Sequence, residues 1–317
     1  MSAVANPLAW VKLAPHVPVV RRTATEFQVG LDPRTALLFD GPGFGAVLGA
    51  LDGQHSADSL RAIGQAAGLS ARHLGWTVNR LRDAGLLAEP RNAGLPGRVR
   101  MIGAGPIGAQ VAEHLAGHGV ELHVYDDNPP DPSLYPAAGA LARSSEALCS
   151  VLSTQPLVPQ PLSHWSKPET VPMDLTVICL DGPEVDRVIT DHLVRSDQPH
   201  LLVRSLGDGV CVGPLVLPGL TSCVQCADLS RRDADPQWPV VLAQLSRVRL
   251  DPPAMLTNWA ASIAAVQALC FLRGGSPETA GSTLELSTID LVTRMRTWPA
   301  HAECGCGWVC PTEWVRE

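Results

Sequence analysis

The sequence predicts an α/β chain in two parts, a small winged helix-turn-helix domain followed by a Rossmann-type domain. Three observations predict it. Short extended segments give way to three helical ones before residue 96, and strands and helices alternate after it. Gly103, Gly105 and Gly108 then form a GxGxxG turn between the first of those later strands and its helix.

The chain of 317 residues is long enough for two ordinary domains, and 45% hydrophobic with 17% charged residues is the composition of a folded protein. In the front part, residues 17–20, 26–30 and 35–39 read as strands, with "LDPR" as the turn between the last two. Phe44, Val47, Leu48 and Leu51 recur at helical spacing. Ser56 caps a second helix carrying Leu60 and Ile63, which stops at Gly68. Ser70 caps a third, whose Leu74, Val78 and Leu81 share one face up to Gly85, and "LLAEP" is expected to follow as a last extended segment. "RNAGLPGR" reads as a linker, so the domains are expected at 1–95 and 96–317.

In the second part "RVRMIGAGPIGAQVAEHLAGHG" reads as strand, glycine turn and helix, with "VELHVYDD" and "DLTVICLD" as later strands. The glycines permit a tight turn and bring a helix N-terminus toward a phosphate. Asp126 ends the next strand, where a carboxylate can hold a ribose hydroxyl. The alternative is that the turn serves only to pack helix on strand.

Four of the nine cysteines fall in two close pairs, Cys223 with Cys226 and Cys304 with Cys306. A CxxC with a distant second pair is a zinc spacing, four thiolates closing a tetrahedral structural site. The alternatives are that the late pair stays free or that Cys310 replaces one member. The N-terminus lacks the basic start and apolar run of a secretion signal, and the apolar stretch from Trp259 to Leu272 looks too short for a bilayer. A cytoplasmic location without membrane attachment is therefore expected, where thiols stay reduced. Residues 1–95 carry nine Lys or Arg against seven Asp or Glu, which lacks the strongly basic character of a nucleic-acid binder.

With Pro218, Gly219, Cys223 and Cys226 in order, the second part resembles the ThiF/MoeB family of adenylating enzymes, relatives of the ubiquitin-activating enzymes. Its late cysteine pair is CxC where the family has CxxC. The resemblance implies a magnesium-holding Asp at Asp181, although the Asn that should follow is Gly182. It also implies an arginine within "DNPPDPSLYPAAGALA", which has none, and a lysine near Ala142 to Leu148. The chain has only Lys12 and Lys167, and Arg143 is no equivalent phosphate clamp. Gly103, Gly105, Gly108, Asp126 and Asp181 thus read as a vestigial nucleotide site, and use of ATP by this chain is not expected.

A winged helix ahead of such a domain, with "FQVGLDPRTALLFDG" and "CADLSRRDADPQWPVVLAQL", resembles the ocin-ThiF-like or "F" proteins of azole-forming ribosomal peptide (RiPP, TOMM) pathways. The resemblance implies a non-catalytic partner. Its front domain, a precursor-peptide recognition element, would capture a leader peptide and present the core to a separate YcaO cyclodehydratase. It also implies a homodimer.

A peptide can add as a strand to a sheet edge while its side chains enter pockets. The expected walls are Ala36, Leu37, Leu38 and Phe39 on the strand and Arg72, Leu74, Val78 and Arg80 on the third helix. Two other functions remain: an ATP-dependent adenylyltransferase, and a DNA-binding regulator.

Overall fold

The computed structural model describes residues 11–88, 97–139, 141–167 and 172–307. The chain divides into two compact units, Met1–Ala93 and Gly94–Glu317.

In the first unit β1 (Val19–Arg21), β2 (Glu26–Val29) and β3 (Leu37–Asp40) form an antiparallel sheet in that order. Three helices follow, α1 (Phe44–Gly49), α2 (Ala57–Ala66) and α3 (Ala71–Asp83). The two predicted caps form: Ser56 Oγ accepts the Ser59 N–H at 3.1 Å, and Ser70 Oγ accepts the His73 N–H at 3.2 Å. Each satisfies an N–H that the first helical turn leaves unpaired. Leu74, Val78 and Leu81 of α3 pack with Val47, Leu48, Leu60 and Phe39 into one core. Ser70→Ala is expected to cost this unit about 1 kcal/mol, read as a lower urea midpoint with an unchanged slope.

Two expectations are corrected here. α1 ends at Gly49, so Leu51 packs from the following loop. No strand forms over the described part of "LLAEP": Leu87 makes a single bridge with Leu13, and Glu89 and Pro90 lie outside the described residues.

The second unit opens with β4 (Arg98–Ile102), α4 (Pro106–Gly117) and β5 (Glu121–Tyr125). α5 (Ser144–Val151), β6 (Gln160–Pro161), β7 (Leu175–Leu180), α6 (Arg187–Arg195) and β8 (His200–Ser205) continue the alternation. β9 (Gly209–Val216) leads to α7 (Val224–Ala234), α8 (Trp238–Leu245) and α9 (Ala254–Leu272), then to β10 (Ser282–Ser287) and β11 (Thr293–Thr297). The sheet order is β11-β10-β9-β8-β7-β4-β5-β6. Neighbours from β8 to β6 run parallel, and those from β8 to β11 antiparallel.

Both faces of this sheet are covered. α4, α5 and α9 bury residues such as Val111, Leu115, Leu148 and Ala264 on one face. Val185 and Leu193 of the α6 segment pack with Val224 and the cysteines on the other. That two-sided burial explains why β7 and β9 are almost wholly apolar runs, and why β8 is buried along its whole length with Leu201, Leu202 and Val203 at its centre.

α9 corrects a third expectation. It spans 19 residues, long and apolar enough by length and composition to cross a membrane, and half of its apolar window is buried in the protein. Ala260, Ala261, Ala264, Ala265 and Ala268 let it lie close on the sheet and α4.

Candidate functional site

The cysteine pairs meet. Cys223 and Cys226 start α7, and Cys304 precedes a tight 3₁₀ turn at Gly305–Gly307 that contains Cys306. The four Sγ atoms lie within 4.8 Å of one another, with Cys223–Cys304 at 3.6 Å, Cys226–Cys306 at 3.4 Å and Cys223–Cys226 at 4.0 Å. A zinc ion with Zn–S bonds of about 2.3 Å needs tetrahedron edges of about 3.8 Å. The cluster is therefore close to the size that holds a metal ion. Burial pushes the Cys223 thiol well above its ordinary pKa, so a cation would be needed to hold that sulfur as a thiolate. Among the described residues no other His, Cys, Asp or Glu group of three or more converges this way.

The glycine turn lies at the carboxyl end of β4. A Cβ on Gly103 would sit 1.9 Å from the Cys179 carbonyl oxygen, and one on Gly108 2.1 Å from the Gly103 oxygen. One on Gly105 would sit 1.9 Å from Asp181 Oδ2. The motif thus does what its glycines permit, but the space over Gly105 holds a carboxylate.

Asp126 is buried and committed to the turn itself. Its Oδ2 accepts the Ala104 N–H at 2.8 Å, and its Oδ1 accepts from Asn128. The Tyr135 hydroxyl donates to the Ala104 carbonyl.

Around the turn is a cavity of about 400 Å³, lined in part by Asp126, Asp131, Asp181 and Asp251. Among the described residues the one Lys or Arg in its wall is Arg249, which donates to Asn128 Oδ1 at 2.8 Å. Burial first, then the neighbouring Asp126 charge, raises Asp181 from 3.8 to about 6, with Asp251 adding to the rise and Arg249 opposing it. Arg143 is tied to Glu146 at 2.6 Å and to the Leu162 carbonyl, away from any phosphate role.

A groove of about 750 Å³ marks the first unit, walled by Asp40, Pro42, Phe44, Leu69, Arg72 and Trp76 among others. Trp76 is 51% exposed and meets Phe39 edge-on, with ring centroids 6.1 Å apart. β3 is an edge strand. The Gly41 N–H bonds to the Thr25 carbonyl, so the alternation of an antiparallel pair turns the backbone groups of Leu38 and Asp40 outward. Leu38 is 54% exposed.

Of the expected walls, Leu38, Arg72 and Arg80 are exposed, and Ala36 and Leu37 half-buried. Phe39, Leu74 and Val78 are buried in the core of the unit. Helical periodicity marks a buried face and cannot tell it from a pocket lining. Trp76 was missed, although Arg72, Trp76 and Arg80 recur every four residues, off the apolar face.

No protein-family model matches the chain, and no curated protein matches it. Solved structures do. The Escherichia coli protein MccB with ATP matches at 14% identity and TM-score 0.67, over 93% of this chain and 98% of that one. The microcin C7 biosynthetic enzyme MccB in complex with N-formylated MccA matches at 15% and 0.66, over 93% and 99%. A heterocyclase in complex with substrate and cofactor matches at 15% and 0.64, over 93% of this chain but 39% of that one.

The shared feature is the ThiF/MoeB-like fold. At these identities the likeness is one of fold alone.

Proposed function

We propose that this chain is a non-catalytic leader-peptide-binding partner of a separate YcaO cyclodehydratase in ribosomal peptide biosynthesis. The observation that carries the reading is the open β3 edge beside the Trp76 groove. The edge supplies outward backbone donors and acceptors, and the groove supplies an aromatic wall next to the Arg72 guanidinium. That is the equipment for adding a peptide strand with an apolar anchor and an acidic neighbour. In this reading the first unit is a winged-helix recognition element and the second a scaffold, pinned by zinc on Cys223, Cys226, Cys304 and Cys306. The chain works in the cytoplasm. MccB is solved with the peptide MccA, which supports peptide handling on this fold.

MccB is also solved with ATP. Here the cation set for a triphosphate is incomplete: the expected lysine is missing between Ala142 and Leu148, and Arg249 is the one Lys or Arg among the described residues lining the cavity.

Fluorescence polarisation with labelled leaders from short reading frames beside the gene tests the proposal. The expected Kd is micromolar or tighter with the full chain, weakened at least tenfold by Trp76→Ala. Pyrophosphate exchange without leader binding would establish an adenylyltransferase instead. Salt-sensitive duplex binding would establish a DNA-binding regulator. Sedimentation of the leader-free chain tests the homodimer.

A further inference from the structure

Arg72, Trp76 and Arg80 form a stripe along α3 beside the open edge of β3. We propose that this stripe selects leaders by a spaced pattern, acidic-x-apolar-x-acidic, in the strand that adds to β3. The inference rests on the leader-binding reading above and names the sequence class which that reading leaves open.

α3 runs back along β3. A Cβ on Gly30 would sit 3.6 Å from the Ala36 Cα, just before β3, and 3.2 Å from the Leu86 side chain, just after α3. At the other end Asp40, the last residue of β3, shares the groove with Arg72 and Trp76 from the first half of α3. Trp76 meets Phe39 between these ends. A strand on the β3 edge therefore turns one of its faces toward the α3 stripe.

The periods match. Residues four apart on a helix are about 6.0 Å apart along its axis, and alternate residues of a strand, which face the same way, are about 6.7 Å apart. Arg72, Trp76 and Arg80 thus oppose residues i, i+2 and i+4 of the added strand, while i+1 and i+3 point away from α3. The pattern reads the same from both ends, so it holds for a strand of either direction.

The charges select the residue types. Arg72 and Arg80 are exposed. Among the described residues neither has a carboxylate within ion-pair distance, whereas Arg22, Arg34 and Arg61 of the same unit each hold one. Asp40, the one acid among the groove residues, accepts from the Thr25 hydroxyl at 2.9 Å. Two uncommitted guanidinium forks favour carboxylates. The half-exposed indole between them favours an apolar side chain, and the groove of about 750 Å³ has room for a large one.

Fluorescent 12-residue peptides of one composition test this by polarisation with the full chain. The matched peptide places a Glu two residues either side of a central Leu, with Thr elsewhere. The offset peptide places the same two Glu one residue either side. Each exposed ion pair contributes about threefold, so the matched peptide is expected to bind about tenfold more tightly. Arg72→Ala and Arg80→Ala should each weaken the matched peptide about threefold and the offset peptide little. Arg80→Glu should be rescued by a peptide with Lys in place of one Glu, and the Glu concerned gives the direction of the strand.

Equal binding of the two peptides, binding of neither, or no rescue of Arg80→Glu by either Lys peptide overturns the inference. So does displacement of the matched peptide by micromolar duplex DNA, which would assign the arginines to phosphates. Leaders from reading frames beside the gene are titrated in the same samples. A leader bound at micromolar Kd without the pattern sinks the inference and leaves leader binding standing. Selectivity for the matched peptide with no leader bound sinks the leader reading instead.

Discussion

If the four cysteines hold zinc as proposed, Cys226→Ser is expected to abolish metal binding and lower the melting temperature by about 10 °C. The four sulfurs join the start of α7 to a turn some eighty residues later in the chain. Around them lie Ile178, Leu193, Leu202 and Val224, so the site is part of the core on that face of the sheet. In zinc-finger peptides structural zinc contributes about 10–16 kcal/mol of apparent folding free energy. This unit has a second large core that does not depend on the metal, so only part of such a term is lost. A loss of about 4 kcal/mol corresponds to roughly 8–16 °C for a domain of this size. Zinc content by mass spectrometry should fall from one ion per chain to near zero. Cys270→Ser, outside the cluster, should change neither value. A metal-free wild-type chain melting at its usual temperature would refute the zinc assignment.

How much of this was legible in the sequence varies with the range of the interaction. The helix caps at Ser56 and Ser70 were legible because a cap is local: donor and acceptor are three residues apart. The glycine turn was legible for the same reason. The cysteine cluster was legible despite its separation because two close cysteine pairs far apart in a chain are a metal-ligand spacing.

What lines the glycine-turn cavity was not legible. Arg249 and Asp251 come from the loop after α8, more than a hundred residues beyond Asn128 and Asp126. Nothing in their local pattern assigns them to that wall. Phe39, Leu74 and Val78 show the opposite difficulty. Their spacing gave the right face of strand and helix, but a core and a groove on the same element share that spacing. The informative residue was Trp76, an aromatic off the apolar stripe.

Asp181→Asn is expected to stabilise the chain at pH 8 and to lose that advantage in acid. The folded state raises this carboxyl from 3.8 to about 6, through burial and then Asp126, with Arg249 opposing and Asp251 reinforcing. Between those two pH values the folded chain holds more protons than the unfolded one. Stability therefore falls as pH rises from about 4 to 6, and the whole penalty is present above 6. A shift of this size corresponds to about 2–3 kcal/mol. The amide has the shape of the carboxylate without its charge, so the gain at pH 8 should be about 4 °C or more. Near pH 3, below both values, Asp181 is protonated in the folded and the unfolded chain, and the two melting curves should nearly coincide. A variant no more stable than wild type at pH 8, or an undiminished difference near pH 3, would refute the account. The wild-type carboxylate is thus a charge that weakens its own fold at neutral pH.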